Sequence, residues 1–302
     1  MNTSFKYVLT FALCSVVLSS CIRVVEIDYP DYQPQIVLTG VMQPDSILKI
    51  RLRKTQPLLS APGSYPAVVD ATVFCYENDK EIGQLKHEKN GFYRLDYFPK
   101  EGANYRVEVL YSNTKITAED TIPFASNVAI TMGASSSNNP NGNPDLFLSI
   151  ARSNISYTWL SAVISYNLAG SMRTNGAVIL SSFPIFDTFN AYKSLSGIDS
   201  FQDYARLKPD FFGDYVIKFT VTNQVSAVKI KGDSFYFRVS DLSQNYDRYL
   251  KSSLTAYANL PNEDIEIGSA FAEPIQVFSN VKNGIGLLGA MQTRKIVLKK
   301  IE

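Results

Sequence analysis

The sequence predicts a mostly β protein with one α-helix. In the first 125 residues, runs that alternate apolar and polar residues recur roughly every 8–12 positions, separated by turn-forming pairs such as Asn90-Gly91. Later apolar segments are rich in β-branched and aromatic residues, and only the stretch near 241–258 shows helical spacing. These observations predict an N-terminal immunoglobulin-like antiparallel β-sandwich over residues 35–125, followed by a second β-rich domain with one inserted α-helix over residues 126–302.

The predicted sandwich contains seven short strands. The second strand alternates most clearly, with Leu48, Ile50 and Leu52 on one face and Lys49 and Arg51 on the other. The seven strands span residues 35–41, 46–52, 69–76, 81–85, 91–95, 104–111 and 115–122. Because the Cys-Trp-Cys pattern of true immunoglobulin domains is absent, the sequence predicts only the architecture.

The second domain is predicted to begin near residues 123–126. Its strands span residues 128–132, 146–150, 157–166, 177–180, 215–221, 227–231 and 234–239. Ser240 or Asp241 is the predicted N-cap of the helix, and Asp247 and Lys251 are predicted to form an i,i+4 ion pair on its outer face. Trp159 lies in a strongly apolar strand, which favours core packing over the alternative of a sugar-stacking platform.

The N-terminus has the pattern of a bacterial lipoprotein signal. Lys6 precedes an apolar stretch over residues 7–19, and the small residues Ser19 and Ser20 then lead into Cys21. The pattern predicts that residues 1–20 are removed and that Cys21 is acylated, with palmitate as the expected type of chain. Residues 21–34 would then act as a tether, since they contain two prolines and no apolar period. A plain secretory signal or a membrane helix is the alternative, although the apolar stretch is shorter than the roughly 20 residues that span a bilayer.

Charge and cysteine content restrict the range of partners. Lys6 is the only charged residue before Cys21, so 28 basic and 28 acidic residues remain beyond it. This balance gives no reason to expect nucleic acid as a partner. The densest basic cluster is Arg51, Arg53 and Lys54, which indicates the wet face of a strand, with a phosphate-binding patch as the alternative. Cys75 is predicted to be a buried strand cysteine outside any disulfide.

The sequence contains no strong catalytic or cofactor signature. His87 is the only histidine and lies in a charged turn, so neither a hydrolytic triad nor a common zinc ligand set is expected, and no cofactor is predicted. Carboxylates in the second domain leave a glycosidase pair or a calcium site open as alternatives. The acidic residues are Asp187, Asp199, Asp203, Asp210 and Asp214, and a second calcium alternative is Asn141, Asn143 and Asp145.

An aromatic-rich stretch between residues 170 and 213 is the predicted binding surface. It has little strand period, and long irregular segments in compact domains are often functional. The candidate binding residues are Phe183, Phe186, Phe189 and Tyr192.

Several motifs resemble a known family of Bacteroidota outer-membrane lipoproteins, called domain of unknown function 4249. The resemblance rests on Ile36-Val37-Leu38-Thr39-Gly40-Val41, on Val68-Val69-Asp70-Ala71-Thr72-Val73, on Gly91-Phe92-Tyr93, and most specifically on Phe271-Ala272-Glu273-Pro274 followed by residues 277–290. Leu288 stands where members usually have an aromatic residue. The resemblance implies a two-part, mostly β lipoprotein, often encoded beside TonB-dependent nutrient receptors. It implies no activity and no functional residues, and we expect the turn formers in residues 279–284 to make a fold-defining corner.

We therefore expect a non-enzymatic lipoprotein anchored to the outer membrane. It would serve as an accessory component that captures a nutrient, glycan or peptide ligand with a TonB-dependent receptor. The alternative is a structural or adhesive surface lipoprotein without a small-molecule ligand, and a hydrolase is a more distant third. The sequence leaves the surface and the periplasmic face of the membrane equally open, because the acidic residues Glu26 and Asp28 come late after Cys21.

Overall fold

Seventeen β-strands and one α-helix make up the described part of the chain, which confirms the prediction of a mostly β fold with a single helix. The computed structural model describes residues 32–57, 65–132, 146–151, 157–168, 171–180, 186–187, 201–202, 205–207, 215–222, 234–258 and 275–298. The elements are β1 (Ile36–Met42), β2 (Leu48–Lys54), β3 (Thr72–Glu77), β4 (Lys80–His87), β5 (Phe92–Leu95), β6 (Asn104–Tyr111), β7 (Thr114–Thr121), β8 (Asn127–Met132), β9 (Leu146–Ala151), β10 (Tyr157–Leu168), β11 (Ser171–Leu180), β12 (Phe186–Asp187), β13 (Phe201–Gln202), β14 (Ala205–Leu207), β15 (Tyr215–Thr222), β16 (Ser234–Leu242), α1 (Gln244–Ala258) and β17 (Ile285–Leu298).

The first seven strands form two antiparallel sheets in the order expected of an immunoglobulin-like sandwich. One sheet pairs β1 with β2 and β2 with β5, and the other pairs β4 with β3, β3 with β6, and β6 with β7. The last residues of β4 pair with β5, so this strand passes from one sheet to the other. Leu48, Ile50 and Leu52 are buried between the sheets, as their alternation predicts.

A tyrosine at the start of β6 supports this architecture. The Tyr105 hydroxyl accepts a hydrogen bond from the backbone N–H of Lys100, 2.8 Å away and five residues upstream. This is the geometry of the tyrosine corner of immunoglobulin-like sandwiches. The same hydroxyl donates to the carboxylate of Glu77 at 2.6 Å, and burial followed by this bond raises the pKa of Tyr105.

Strand β17 connects the sandwich with the later strands. Its first part, from Ile285, runs parallel to β1, and its second part pairs antiparallel with β16. Gly286 makes the close pairing with β1 feasible, because it has a φ of 117° and a Cβ there would lie 2.0 Å from the carbonyl oxygen of Leu38. Residues 34–302 form one compact unit, and the proposed domain boundary between residues 125 and 126 stays a prediction.

The strands after residue 126 extend outward from β16. Strand β10 pairs with β16 along one edge and with β14 and β11 along the other. Strand β11 pairs with β15, β15 with β9, and β9 with β8. Within the described residues, no helix is both long and apolar enough to cross a bilayer.

Helix α1 packs against β17 and begins later than predicted. A Cβ on Gly289 would lie 3.0 Å from the Tyr246 ring, so the glycine permits this close packing. Ser243 is the N-cap, since its hydroxyl accepts the backbone N–H of Tyr246 at 3.1 Å. The predicted caps Ser240 and Asp241 are wrong, because both residues lie in β16.

Candidate functional site

The predicted functional residues lie mostly outside the described residues. Cys21, Phe183, Phe189 and Tyr192 belong to that group. Of Phe186 the structure describes the backbone, which pairs with Leu207 of β14. Among the acidic and amide residues considered for a carboxylate pair or a calcium site, the structure describes only the backbone of Asp187, which lies opposite Arg206. The others lie outside the described residues: Asp199, Asp203, Asp210, Asp214, Asn141, Asn143 and Asp145.

The outer side of the sheet formed by β1, β2 and β5 presents a charged surface. Strand pairing places Thr39 beside Arg51 and Arg51 beside Phe92, and it places Lys49 beside Arg94. Because directly paired residues point to the same side, these side chains share the face opposite the apolar core. We call this surface the basic face and define it by Lys49, Arg51, Arg53, Lys86, Phe92 and Arg94.

Cations cover the aromatic ring of the basic face. The ammonium of Lys49 lies 4.7 Å from the centroid of the Phe92 ring, and the guanidinium carbon of Arg51 lies 4.5 Å from it. Both distances are within the range of cation–π attraction. Partial desolvation, together with the nearby charge of Arg53, lowers the pKa of Arg51. The face therefore presents positive charge to solvent rather than a bare aromatic platform.

Two acids neutralise only part of this charge. Glu88 accepts hydrogen bonds from Lys49 at 2.8 Å and from Arg94 at 3.3 Å, and the bond from Lys49 is the main reason that its pKa is lowered. Arg94 also donates to Asp96 through Nε at 2.9 Å. The five basic side chains of the face thus outnumber its two acids. A surface of this kind suits a ligand that carries carboxylate, sulfate or phosphate groups.

Arg53 adds an unsatisfied donor to the basic face. Its Nε is buried and has no hydrogen-bond partner within the described part of the chain. A buried donor without a partner is uncommon and energetically unfavourable. The outward position of Arg51 and Arg53 confirms that their strand presents a basic side opposite its apolar one.

A second group of charged residues is buried where β10, β14 and α1 meet. Asp247 is 2 % exposed and accepts two hydrogen bonds from Arg206, from Nε at 2.6 Å and from Nη2 at 2.7 Å. It also accepts the indole N–H of Trp159 at 2.8 Å. The predicted surface pairing of Asp247 with Lys251 is therefore wrong, because the carboxylate points inward. Trp159 is buried, as predicted, and its N–H finds a partner there.

Asp241 makes a separate buried connection between distant parts of the chain. Its carboxylate accepts the hydroxyl of Thr158 at 2.6 Å and the backbone N–H of Ser126 at 2.8 Å. Arg294 of β17 lies 3.3 Å from the same group and also donates to the Ser126 hydroxyl at 3.1 Å. The carboxylate is fully buried, so these bonds replace its lost hydration.

Asp120 binds the start of the helix to β7. It accepts the hydroxyl of the N-cap Ser243, the side-chain amide of Asn245 at 3.3 Å and the backbone N–H of Thr121 at 2.9 Å. Burial raises the pKa of Asp120 to about 6, and these hydrogen bonds only partly oppose the shift. Asp120, Asp241 and Asp247 thus serve structural connections.

Two further side chains with reactive groups are Cys75 and His87. Cys75 is fully buried in β3, as predicted, and burial raises the pKa of its thiol to about 12. His87 lies at the exposed end of β4, with its ring 5.2 Å from that of Tyr93. In the part of the chain that the structure describes, no three His, Cys, Asp or Glu residues are grouped to hold a metal ion.

The turn near residue 280 is a structural corner. The side-chain oxygen of Asn280 accepts the backbone N–H of Leu288 at 3.0 Å, and its amide donates back to the Leu288 carbonyl at 2.8 Å. Asn283, with a φ of 57°, donates to the carbonyl of Lys115 at 2.9 Å. These bonds attach the segment before β17 to β17 and to β7, as the sequence motif suggests.

Comparison with known sequences identifies the family. The model of the family described as "Domain of unknown function (DUF4249)" matches residues 22–296. The chain belongs to the DUF4249 family. No curated protein matches this DUF4249 chain. Its structure is similar to the crystal structure of a DUF4785 family protein from Legionella pneumophila subsp. pneumophila str. Philadelphia 1, at 13% sequence identity and a TM-score of 0.25. That match covers 68% of this chain and 52% of the Legionella chain, so the DUF4249 protein spans about half the length of that relative.

Proposed function

We propose that the protein is a non-catalytic lipoprotein of the outer membrane that captures a nutrient or glycan for a TonB-dependent receptor. The observation that carries the proposal is the basic face, which has five cations on the outer side of the sheet, with Lys49 and Arg51 over the ring of Phe92. Clustered cations on a fixed scaffold raise the local concentration of anionic ligands and speed their association. The ligand would be recognised by its carboxylate, sulfate or phosphate groups rather than by stacking on a bare ring.

Membrane anchoring is supported by the N-terminal sequence. Ser19 and Ser20 precede Cys21 after a short apolar stretch, which is the arrangement expected before a lipid-modified cysteine. Two acyl chains provide stable membrane attachment without a spanning helix. Residues 22–34 would keep the folded unit close to the membrane and leave the basic face accessible to ligand.

A binding role is also consistent with the buried acids. Asp120, Asp241 and Asp247 are bonded to groups that join the helix, β10 and β17. A catalytic carboxylate must instead reach a substrate, usually in an open cleft. These three aspartates are therefore assigned to the scaffold that presents the basic face.

Localisation is tested by protease treatment of intact cells that produce the full chain, with Cys21→Ala as the control variant. We expect Cys21→Ala to leave the membrane fraction, since it lacks the acylated thiol. If added protease digests the protein that retains Cys21 on intact cells, the protein lies on the cell surface. If the protein is protected until the outer membrane is permeabilised, it lies in the periplasm. A Cys21→Ala variant that stays membrane-bound would contradict the lipoprotein proposal.

Ligand capture is tested with the purified full-length lipoprotein in detergent. Alginate and heparin serve as polyanionic probes, and dextran serves as the neutral probe. We expect the double variant Lys49→Glu, Arg51→Glu to weaken alginate or heparin binding by roughly tenfold or more and the binding to weaken with added salt. Lys80→Glu is the control for a charge reversal outside the basic face, because Lys80 is an exposed lysine at the start of β4.

The outcome separates the two functional hypotheses. Binding of a polyanion that is lost in the basic-face variant and retained in Lys80→Glu supports ligand capture. Equal binding by both variants, or no preference for either polyanion over dextran, would contradict capture at the basic face. A surface-exposed protein with that result would instead fit the structural or adhesive alternative.

A further inference from the structure

One end of the sandwich combines exposed apolar side chains with lysines. We call it the tether end, because the chain enters the fold there at Ile36, and we define it by Lys54, Tyr65, Val69, Leu110, Lys115, Lys282 and Ile285. In one sheet Ile36 lies opposite Lys54, and in the other sheet Leu110 lies opposite Thr72 at the start of β3. The Lys54 ammonium, 5.0 Å from the centroid of the Tyr111 ring, connects the two sheets at this end.

The remaining residues reach the same end through the loops that flank these strands. The backbone N–H of Lys54 donates to the carbonyl of Pro66, the residue after Tyr65. Val69 comes shortly before β3, and Lys115 lies directly opposite Leu110 on β7. Ile285 begins β17 beside Val37, just inside the start of β1.

Four apolar side chains at the tether end are exposed. Tyr65 is 51 % exposed, Val69 53 %, Leu110 45 % and Ile285 37 %. A single exposed apolar residue needs no explanation, but several at one end of a sandwich mark an interaction surface. Tyrosine and aliphatic side chains with nearby lysines are the composition found where proteins meet the headgroup region of a bilayer.

The charges at this end favour an anionic partner. Lys54, Lys115 and Lys282 are the cations, and Asp70 is the nearby exposed acid. Glu108 also lies close, but its carboxylate is shared between Arg106 and Lys115, which lies 2.9 Å away. The long apolar stems of the lysines can lie along the apolar side chains while their ammonium groups reach headgroup phosphates.

We propose that the tether end rests on the anionic lipid surface to which Cys21 is anchored. This inference rests on the lipid anchor of the proposed function and adds an orientation to it. Residues 22–35 separate Cys21 from β1, and even a fully extended chain of that length reaches no more than about 50 Å. The end at which the chain enters the fold is therefore the end with the shortest covalent path to the membrane.

The orientation has a structural consequence for the rest of the protein. The opposite end of the sandwich carries Phe98 and Phe124, and the helix is attached there through the bonds of Asp120 with Ser243 and Asn245. With the tether end on the lipid surface, α1 and the strands around β10 and β16 point away from the membrane. The basic face then stands along the side of the sandwich, within reach of a neighbouring receptor.

The experiment uses the acylated full-length product, reconstituted in vesicles of phosphatidylglycerol and phosphatidylethanolamine that contain brominated lipid. Single cysteines at Leu110→Cys and Phe98→Cys carry an environment-sensitive fluorophore, and the buried Cys75 stays unlabelled. Leu110 and Phe98 form a matched pair, since both are exposed and they lie at opposite ends. We expect quenching at residue 110 to be at least roughly twice that at residue 98, because a docked apolar residue reaches the boundary between headgroups and acyl chains, where the bromine lies.

Charge reversal and vesicle composition provide the controls. Lys54→Glu and Lys115→Glu, each added to Leu110→Cys, should lower the affinity of the tether end for the vesicle surface by roughly fivefold per lysine. Neutral phosphatidylcholine vesicles should also lower this affinity. Quenching that stays unchanged under both treatments would contradict an anionic-lipid contact. Melting temperatures of the variants identify any that fail to fold, and Val69→Cys then replaces Leu110→Cys.

Flotation of the chain with the vesicles reports the lipid anchor separately. Flotation with equal quenching at residues 110 and 98 would overturn the orientation and leave the anchor intact. Loss of flotation would overturn both. Stronger quenching at residue 110 that depends on Lys54 and Lys115 supports the orientation.

Discussion

The sandwich core and the junction around helix α1 are buried in different chemical ways. The sandwich buries residues such as Leu38, Val73 and Val107, which are apolar and completely inaccessible to solvent. The junction buries Asp241 and Asp247, which require specific donors. An apolar core tolerates imprecise partners because dispersion and the hydrophobic effect are not directional, whereas a buried carboxylate depends on each hydrogen bond. The two regions should therefore respond differently to the same kind of substitution.

The largest effect is expected when one member of the Arg206–Asp247 pair is removed. Asp247→Ala leaves the guanidinium of Arg206 buried without its bidentate partner and removes the acceptor of the Trp159 indole N–H. Breaking a buried ion pair in this way lowers the free energy of unfolding by about 3–5 kcal/mol. Urea unfolding followed by the fluorescence of Trp159, the only tryptophan, measures the change.

A double substitution tests whether the loss comes from the unpaired charge. Arg206→Met with Asp247→Leu replaces both partners by apolar side chains of similar length. It should recover the part of the stability that is lost to the unpaired charge, but not the part that comes from the bond between Trp159 and Asp247. A double variant as unstable as Asp247→Ala would show that the junction depends on packing, as the sandwich does. That result would remove the contrast between the two regions.

The second effect is a dependence of stability on pH that originates at Asp120. Its pKa of about 6 in the folded protein lies above the value of about 3.9 for an unfolded chain, so the folded state binds the proton more tightly. Stability therefore increases as pH falls from 7 to 5, by about 1.4 kcal/mol from this group alone. Denaturant titrations at the two pH values measure it.

Asp120→Asn serves as the reference for this prediction. The amide can still accept from Thr121 and Asn245, but it has no proton to gain in this range. The difference in stability between the original and the variant chain should thus change by about 1.4 kcal/mol between pH 7 and pH 5. A constant difference would show that Asp120 does not titrate in this window.

The contrast also explains which parts of the structure could be predicted from sequence. The alternation of Leu48, Ile50 and Leu52 with basic residues indicates β2 directly, because the period of two is a property of the strand itself. Strand β17 gave no such signal. Its residues pass from the edge of the sandwich to β16, so buried positions run consecutively from Leu287 to Ala290 rather than alternating.

The polar junction was beyond pattern reasoning for a similar reason. Asp247 stands four residues before Lys251, and this spacing indicates a surface pair unless the partner from another strand is known. Arg206 lies 41 residues away in a three-residue strand that has no periodicity to reveal it. Tyr105 could have been predicted from sequence, because a tyrosine at the start of the sixth strand of a sandwich is typical of a tyrosine corner.

The smallest effect belongs to the apolar region and sharpens the comparison. Ile116 is completely buried in the sandwich core, and Ile116→Val removes a single methylene group without adding a polar atom. The expected loss of stability is about 0.5–1.5 kcal/mol. Since the substitution changes no titratable group, the loss should be the same at pH 5 and pH 7, unlike the effect of Asp120→Asn.

A loss at Ile116 that varied with pH would mean that titration of Asp120 alters packing in the sandwich, because Ile116 and Asp120 share strand β7. The two regions would then respond as one cooperative unit despite their different chemistry.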